Sequence, residues 1–400
     1  MNLKKTLSAA LALALLCPAA AVRADGLPAA EEAAETSAQT QAAVAAADLS
    51  MDAAAAILVD AGTGTVLYER NADAPRAIAS ITKVMTMLLV MEALDAGKIT
   101  LEDKVTASEH AYSMGGSQIW LEPGEVMTVD ELLRAVAVAS ANDAAVALAE
   151  YVGGSEEAFV ADMNRKAAEL GMTKTTFKNA NGLDEEGHLS CARDVSVMSR
   201  ALLAHGRIRD YITIWTDALR GGETQLTNTN KMLRTYDGMT GVKTGTTGNA
   251  GVCISASAAR GGMELIAVVL GSGDSAGRFA AARTMLNYGF ANYESAPIGV
   301  ADGSFRPVRV KRGAQPYCEY SVNLPESVVV ARGKAESVRC AVELAESVEA
   351  PVEAGQTVGA VRVFCGDEEI GSYPVTAVRA IEKIDFATGF RLLFEALLDM

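Results

Sequence analysis

A serine and a lysine three residues apart, at the start of an apolar run, constrain this 400-residue chain more than any other feature. Ser80 and Lys83 open a segment that stays apolar through Leu94, a pattern that predicts a helix. Residues three apart lie on one face of a helical turn, so the two side chains should be neighbours. A serine hydroxyl needs a base to become a nucleophile, and lysine can serve where burial or another cation lowers its pKa. The stretch therefore predicts a catalytic serine.

A polar break between two predicted helices is the second candidate element. Thr128 and Glu131 form a capping-box pattern that begins an apolar segment running to Ala139, and an alanine-rich segment follows. Ser140 and Asn142 lie in the break between the two segments. Either residue could simply cap the second helix. Alternatively, Ser140 could relay a proton to a leaving amine while the Asn142 amide holds a peptide.

An antiparallel sheet is predicted from five alternating or apolar stretches separated by turn residues. The third strand carries Lys243, Thr244 and Gly245 and should lie at an edge, where an extended peptide can pair with it while the lysine attracts a carboxylate. Gly245 would let a substrate backbone approach closely. A solvated lysine that discourages edge aggregation would explain Lys243 as well. The predicted strands are residues 53–59, 65–68, 241–247, 251–257 and 265–270.

In this order the three elements resemble the Ser-x-x-Lys, Ser-x-Asn and Lys-Thr-Gly motifs of the serine penicillin-recognising enzymes. Residues 79–86, residues 140–145 and Asp194 after Ala192-Arg193 are similar to the D-alanyl-D-alanine carboxypeptidases of serine peptidase family S11, the low-molecular-mass penicillin-binding proteins. The resemblance extends from about residue 53 to the C-terminus. It implies an α+β sandwich, with an antiparallel sheet flanked by helices, followed by a small all-β domain and a C-terminal amphipathic helix.

The resemblance also implies acyl transfer through Ser80, which would attack the bond between the two terminal D-alanines of a peptidoglycan stem pentapeptide. Lys83 would accept the serine proton, Ser140 would relay a proton to departing D-alanine, and Asn142 would orient the peptide. The backbone N–H groups of Ser80 and Thr246 would form the oxyanion hole. β-Lactams would acylate the same serine, and no metal or cofactor is expected. The substrate-binding residues implied in this way are Lys243, Thr244, Gly245 and Thr246.

Three other functions remain open from the sequence. A D,D-endopeptidase acting on cross-links would use the same residues, and a wall-binding scaffold would need none of them. A class A-like β-lactamase would use a loop glutamate to activate the deacylating water. The loop at 179–188 contains Glu185 and Glu186 but lacks a Glu-x-x-x-Asn pattern, which favours the peptidase.

Two further segments could belong to the site. His188, in the loop at 179–188, could contact substrate or merely be solvated. Residues 115–118 could form a wall of the cleft or a plain turn.

Composition divides the chain into five predicted segments. Residues 1–24 are typical of a secretory signal peptide and residues 25–48 of a flexible linker. Residues 49–296 should form the catalytic domain and residues 305–380 a small β-rich domain. Removal of residues 1–24 would leave 32 basic residues, three fewer than the 35 of the whole chain, against 50 acidic ones. The resulting net charge of −18 argues against nucleic acid as a partner.

The last segment, residues 383–400, should be an amphipathic helix with an apolar stripe. It is too short to span a bilayer but suits an anchor on the outer face of the cytoplasmic membrane, although the stripe could instead pack against the chain or a partner. The exported chain would keep five of the six cysteines, so at least one thiol stays unpaired. The stripe consists of Phe386, Phe390, Leu393, Phe394 and Leu397.

Overall fold

The computed structural model describes residues 49–386 together with residues 389 and 390. In this part of the chain, a domain with helices on both faces of a five-stranded antiparallel sheet is followed by a domain of small β-sheets. This arrangement confirms the predicted antiparallel sheet flanked by helices and the small all-β domain after it. The predicted signal peptide, the linker and most of the predicted C-terminal helix lie outside the described residues.

Short strands and helices alternate through the first part of the helix-flanked domain. A 3₁₀ turn at Ala79–Thr82 leads into α1, and a π-helical turn at Ala135–Ala139 follows α3. In chain order the elements are β1 (Ala55–Asp60), β2 (Val66–Arg70), α1 (Lys83–Asp95), β3 (Lys104–Thr106), α2 (Glu109–Tyr112), β4 (Val126–Thr128), α3 (Val129–Arg134), α4 (Asn142–Gly153) and α5 (Glu156–Glu169).

The second part of this domain supplies the long strands of the sheet and the helix that covers one face. Its elements are α6 (Ala192–Ala204), α7 (Arg209–Ile212), β5 (Thr216–Leu219), β6 (Thr224–Thr227), α8 (Met232–Thr235), β7 (Met239–Thr247), β8 (Gly251–Arg260), β9 (Met263–Ser272) and α9 (Ser275–Asn292). The predicted hairpin of β1 and β2, the three strands from β7 to β9 and the helix after them are all present.

The sheet has the strand order β2-β1-β9-β8-β7, and every neighbouring pair is antiparallel. All six residues of β1 are buried, because helices cover both faces of the sheet. The N-terminal hairpin joins the later strands through the pairing of β1 with β9, as predicted. β7 lies at the edge of the sheet, so the edge position predicted for Lys243 and Thr244 is confirmed.

Two apolar cores fix the helices on the sheet. On one face, α9 packs Met285 and Leu286 against Leu265 of β9. On the other face, a larger core joins strand side chains such as Val268 to α6 and to α1, which is buried on nearly every side from Lys83 to Met91. A helix that is apolar all round is typical of a buried position. The first residue of α1 is therefore held deep in the domain.

The second domain begins where α9 ends and consists of three small sheets. Their strand orders are β10-β14, β12-β11-β16 and β13-β18-β17-β15, around a core rich in valine. None of the described helices has the length and hydrophobicity needed to cross a membrane. The strands are β10 (Tyr293–Pro297), β11 (Val308–Lys311), β12 (Tyr317–Cys318), β13 (Tyr320–Val322), β14 (Ser327–Ala331), β15 (Val338–Leu344), β16 (Ser347–Glu349), β17 (Thr357–Cys365) and β18 (Glu368–Ala377).

Candidate active site

Ser80 and Lys83 are in contact at the point where the 3₁₀ turn becomes α1. The Ser80 Oγ atom lies 2.9 Å from Lys83 Nζ. Lys83 is fully buried, whereas Ser80 is partly exposed. Ala79, just before the serine, has a left-handed backbone with φ of 49°, which is uncommon for a residue with a side chain. The turn thus presents the serine hydroxyl at the surface with a buried amine behind it.

The Lys83 amine has two further partners, both oxygen acceptors. Its Nζ atom lies 2.5 Å from Asn142 Oδ1 and 2.6 Å from the Asn181 carbonyl oxygen. Burial, together with the positive charge of Lys243, holds the pKa of Lys83 well below its ordinary value of 10.5, against a smaller opposing effect of Asp143. A neutral amine would donate its two N–H groups to these oxygens. Its lone pair would then be free to accept the Ser80 proton.

Asn142 reaches the Lys83 amine across a sharp break in the chain between α3 and α4. Ser140 ends the π-helical turn in a left-handed conformation, with φ of 63°. The cap of α4 is Ala141, which makes no side-chain capping bond. The alternative that Ser140 or Asn142 merely caps this helix is therefore wrong. Asn142 instead uses its amide oxygen to hold Lys83.

The loop at residues 115–118 packs directly against Asn142. The side-chain nitrogen of Asn142 donates to the Gly115 carbonyl oxygen at 2.6 Å, and its backbone N–H donates to the Ser117 carbonyl oxygen at 2.7 Å. A Cβ atom on Gly116 would lie 2.9 Å from the same amide nitrogen. Residues 115–118 are therefore in contact with a predicted site residue. This favours the interpretation of the loop as a wall of the cleft over that of a plain turn.

Lys243 and Thr244 occupy the middle of edge strand β7, and Lys243 is almost completely buried. Its ammonium nitrogen donates to the Thr244 carbonyl oxygen at 3.0 Å. Burial, with a contribution from the positive charge of Arg278, lowers the pKa of Lys243 to about 7. The lysine is therefore not the solvated edge residue that the sequence left open.

Gly245 touches the turn that carries the nucleophile. A Cβ atom at this position would lie 2.9 Å from the Ile78 carbonyl oxygen and 3.0 Å from Ser80 N. Only a glycine lets the two backbones approach this closely. The contact brings Ser80 N close to the segment of β7 that continues into Thr246. The backbone that approaches Gly245 in the structure thus belongs to the same chain, at the turn before Ser80.

Arg278, in the first turn of α9, is a site residue that the sequence did not reveal. Its guanidinium donates to the carbonyl oxygens of Gly245 and Cys253, each at 3.2 Å, and to Thr246 Oγ1 at 3.3 Å. The side chain is buried, and its Nε atom has no hydrogen-bond partner among the described residues. An arginine near a helix start carries no sequence signal for such a role, because the contacts arise only when α9 folds back over β7.

The loop at residues 179–188 closes the other side of the site. Its Asn181 carbonyl oxygen accepts a hydrogen bond from Lys83. The next residue, Gly182, has φ of 85°, and a Cβ atom there would lie 2.0 Å from the Ala79 carbonyl oxygen. Asp184 accepts hydrogen bonds from Thr247 Oγ1 at 2.6 Å and from Asn249 N at 3.2 Å. One loop therefore contacts both the nucleophile turn and the end of β7.

His188 lies beneath this loop and is buried. Its Nε2 atom is 2.8 Å from Thr82 Oγ1, and Lys178 N donates to its Nδ1 atom at 3.2 Å. An Nδ1 that accepts leaves Nε2 as the donor, so the ring is neutral. Burial lowers the pKa of His188 to about 4, in agreement. His188 supports Thr82, two residues after the serine, and its burial shows that the prediction of a solvated ring is wrong.

Glu185 and Glu186 are exposed at the outer rim of the same loop. Glu185 accepts a hydrogen bond from the Asn179 side chain at 3.0 Å. Within residues 49–386, no carboxylate is hydrogen-bonded to Ser80 or Lys83. The same part of the chain contains no group of three or more His, Cys, Asp or Glu side chains that could hold a metal ion.

Comparison with known proteins gives matches to both domains. The family model described as D-alanyl-D-alanine carboxypeptidase matches residues 39–274. The model described as Penicillin-binding protein 5, C-terminal domain, matches residues 293–383. Together the two matches cover the helix-flanked domain up to the start of α9 and the β-rich domain from β10 onward.

Individual relatives match over most of their length. The chain is 43% identical over 345 residues to D-alanyl-D-alanine carboxypeptidase DacF of Bacillus subtilis, covering 85% of this chain and 89% of the relative. It is 35% identical to D-alanyl-D-alanine carboxypeptidase DacC of Escherichia coli, with 84% and 86% covered. The solved structure of penicillin binding protein 5 from Haemophilus influenzae superposes with a TM-score of 0.73 at 29% identity, covering 84% of this chain and 99% of that one.

Proposed function

Because this chain belongs to the D-alanyl-D-alanine carboxypeptidase family, peptidase S11, we propose that it removes the terminal D-alanine from peptidoglycan stem pentapeptides through a Ser80 acyl-enzyme. The strongest support for this proposal is the contact of Ser80 Oγ with the buried amine of Lys83, at 2.9 Å. A nucleophile in hydrogen-bond contact with a base of lowered pKa is the arrangement that serine acyl transfer requires.

The first step begins when Ser80 Oγ attacks the carbonyl carbon between the two terminal D-alanines and its proton passes to Lys83 Nζ. The negative charge on the carbonyl oxygen is stabilised by the backbone N–H groups of Ser80 and Thr246. The close contact at Gly245 supports this pairing, because it brings the two backbone segments together. Collapse of the intermediate breaks the carbon–nitrogen bond, and Ser140 relays a proton to the nitrogen of departing D-alanine.

The peptide binds in extended form alongside β7, the edge strand of the sheet. Asn142 orients it through the side-chain amide that also holds Lys83. The terminal carboxylate lies near Lys243 and Thr244, where the lysine supplies positive charge. Water then hydrolyses the ester on Ser80, which releases the shortened peptide and restores the hydroxyl.

Mass spectrometry of the chain from Asp25 to Met400 tests this function. The protein is incubated with a disaccharide pentapeptide and, separately, with benzylpenicillin. Release of D-alanine and a long-lived penicillin adduct on Ser80 are expected. The Ser80→Ala variant should show neither, whereas Ser321→Ala, which removes an exposed hydroxyl on β13, should behave as the wild type. Equal labelling of Ser80→Ala by penicillin would refute the assignment of the nucleophile.

The same experiment separates the other functions. Rapid turnover of penicillin without peptide cleavage would indicate a β-lactamase, and cleavage of cross-linked dimers in preference to pentapeptide would indicate an endopeptidase. The exposed positions of Glu185 and Glu186 argue against the first, because neither touches Ser80 or Lys83. A chain that gave neither adduct nor product would be the inactive wall-binding scaffold.

We further propose that the chain is exported by its first 24 residues and rests on the outer face of the cytoplasmic membrane. The helix-flanked domain would act as the catalytic domain. The β-rich domain, which begins with β10 and not at the predicted residue 305, would act as a spacer between it and the membrane. Support comes from Phe386 and Phe390, which are 90% and 62% exposed and have stacked rings 6.4 Å apart. Exposed aromatic rings of this kind suit an interfacial anchor.

Vesicle flotation tests the anchor with the chain from Asp25 to Met400 and neutral phospholipid. The wild type should float with the vesicles, and the double variant Phe386→Ser, Phe390→Ser should stay in solution. Phe305→Ser, which changes an exposed phenylalanine of the β-rich domain, is the matched control and should float. Flotation of the double variant at the wild-type level would reject the anchor.

A further inference from the structure

Thr229, between β6 and α8, lies in hydrogen-bond contact with the strand that carries Lys243. The Thr244 Oγ1 atom donates to Thr229 Oγ1 at 2.6 Å. Thr229 is partly exposed, while its neighbours Asn228 and Asn230 are buried. The contact thus extends the edge of the site with a hydroxyl from outside the three sequence motifs.

Four hydrogen bonds of the two flanking asparagines fix this segment. Asn228 donates to the Ile214 carbonyl oxygen at 2.8 Å and accepts from Asn230 N at 2.8 Å. Asn230 donates to the Gly241 carbonyl oxygen on β7 at 3.1 Å and accepts from Met232 N at 3.1 Å. A side chain held between two such anchored residues has little freedom to move, which is the property of a preorganised binding group.

The backbone of Thr229 also joins the site to the break that carries Ser140. Its N–H group donates to the Val138 carbonyl oxygen at 3.3 Å, two residues before Ser140. Thr229 therefore bridges β7 and the π-helical turn. The segment that carries Thr229 is thus joined both to the strand with the residues proposed to bind the carboxylate and to the turn that leads into Ser140.

Only one of the two threonine hydroxyls has a proton available for an anion. A carboxylate only accepts hydrogen bonds, and each threonine hydroxyl has one proton. The Thr244 proton is directed at Thr229, so the proton that remains available belongs to Thr229. Among the described residues the Thr229 hydroxyl has no acceptor of its own. The Lys243 ammonium is buried and directed at the Thr244 carbonyl oxygen, so it offers charge beneath this surface.

We propose that the Thr229 hydroxyl donates a hydrogen bond to the terminal carboxylate of the substrate and makes the enzyme selective for peptides with a free carboxylate. This inference rests on the proposed carboxypeptidase function. The two threonines then act in series, with Thr244 polarising Thr229 and Thr229 contacting the anion. A hydrogen bond to a charged group is stronger than one between neutral groups, so the loss of this one hydroxyl has a measurable effect.

The test compares wild type, Thr229→Val, Thr229→Ser and Thr227→Val, which removes an exposed hydroxyl at the end of β6. D-Alanine release from an acyl-D-alanyl-D-alanine peptide gives KM and kcat. Thr229→Val should raise KM about tenfold, the size expected for one hydrogen bond to a charged group, with kcat within twofold. Thr229→Ser should restore KM, and Thr227→Val should match the wild type.

A second measurement separates recognition of the carboxylate from loss of structure. Acylation of Ser80 by benzylpenicillin is compared with acylation by its methyl ester in the same variants. Thr229→Val should slow the acid about tenfold and leave the ester unchanged. Unchanged KM, or equal slowing of acid and ester, would overturn the proposal. A wild type that releases no D-alanine would instead reject the carboxypeptidase function, and the penicillin comparison would still report on Thr229.

Discussion

The two domains differ in what their interiors contain. Every buried polar or charged side chain in the described part of the chain precedes residue 279, and these include Lys83, Lys243 and Arg278. The buried core of the second domain consists of apolar side chains together with Cys318. Burial of a polar or charged group lowers the free energy of unfolding unless it is well paired. The buried reactive groups thus lower the free energy of unfolding of the first domain, whereas the second domain has no such cost among its described residues.

Backbone conformation shows the same division. Five of the six described non-glycine residues with positive φ lie in the first domain, and two of them, Ala79 and Ser140, fall within the first two motif stretches. Only Arg312 lies in the β-rich domain. Strained backbone persists where the surrounding structure holds it in place, and such positions cluster at functional sites. Substitutions in the two domains should therefore separate activity from stability.

The largest effect on activity is expected from Lys83→Met, which keeps the length of the side chain and removes the base. Acylation by benzylpenicillin should slow about 10³-fold, within the range that general bases contribute. Lys311→Met, at an exposed position of β11 in the second domain, should leave the rate unchanged. The measurement is the rate of adduct formation by mass spectrometry. A Lys83→Met rate within tenfold of the wild type would remove Lys83 as proton acceptor.

A smaller effect should appear in the pH dependence of substrate capture. The pKa of Lys243 is about 7, so the ammonium that attracts the carboxylate is present below pH 7 and is lost above it. KM for the peptide should therefore rise with pH above 7, by up to about tenfold per pH unit. Steady-state kinetics from pH 6 to 9 measure this, and a wild-type KM that stays flat over the range would contradict the assignment.

Two variants sharpen that measurement. Lys243→Met should give a high KM that no longer depends on pH. Arg278→Gln removes the positive charge that lowers the pKa of Lys243, so the rise in KM should move to higher pH. If Arg278 affected only packing, Arg278→Gln would change the size of KM and leave its pH dependence in place.

The smallest effect on activity is expected where the interior is apolar. Val361 is fully buried in the β-rich core, and Val361→Ala should lower the free energy of unfolding of this domain by about 2 kcal/mol. Chemical denaturation measures this change, and the exposed Val378→Ala is the matched control. The rate of acylation by benzylpenicillin should remain within twofold. A loss of acylation beyond that would show that the two domains are functionally coupled.

The sequence predicted the elements of the fold more completely than the contacts of the site. The strand patterns, the capping box of Thr128 with Glu131 and the helix after β9 are local features, and the structure contains each of them. The contact of Lys83 with the carbonyl oxygen of Asn181 joins residues 98 apart. A backbone carbonyl is present at every residue, so no residue type in the sequence could have indicated this contact.

Arg278 and His188 show why the other contacts of the site could not be predicted from the sequence. Both side chains act through contacts made when distant segments pack, namely α9 over β7 and the 179–188 loop under the 3₁₀ turn. Sequence periodicity predicts which face of an element is buried, but not which polar atoms meet inside. Thr229 was missed for the same reason, since a threonine between two asparagines is typical of any polar turn.

Gly182 and Gly245 meet the nucleophile turn from two sides, one against the Ala79 carbonyl oxygen and the other beside Ser80 N. Neither position has room for a methyl group, and neither glycine takes part in the reaction. A survey of random substitutions would therefore rank both positions beside Ser80 in intolerance. The number of positions at which a single substitution would inactivate the enzyme is accordingly larger than its set of reacting side chains, because it includes glycines that leave no room for a side chain.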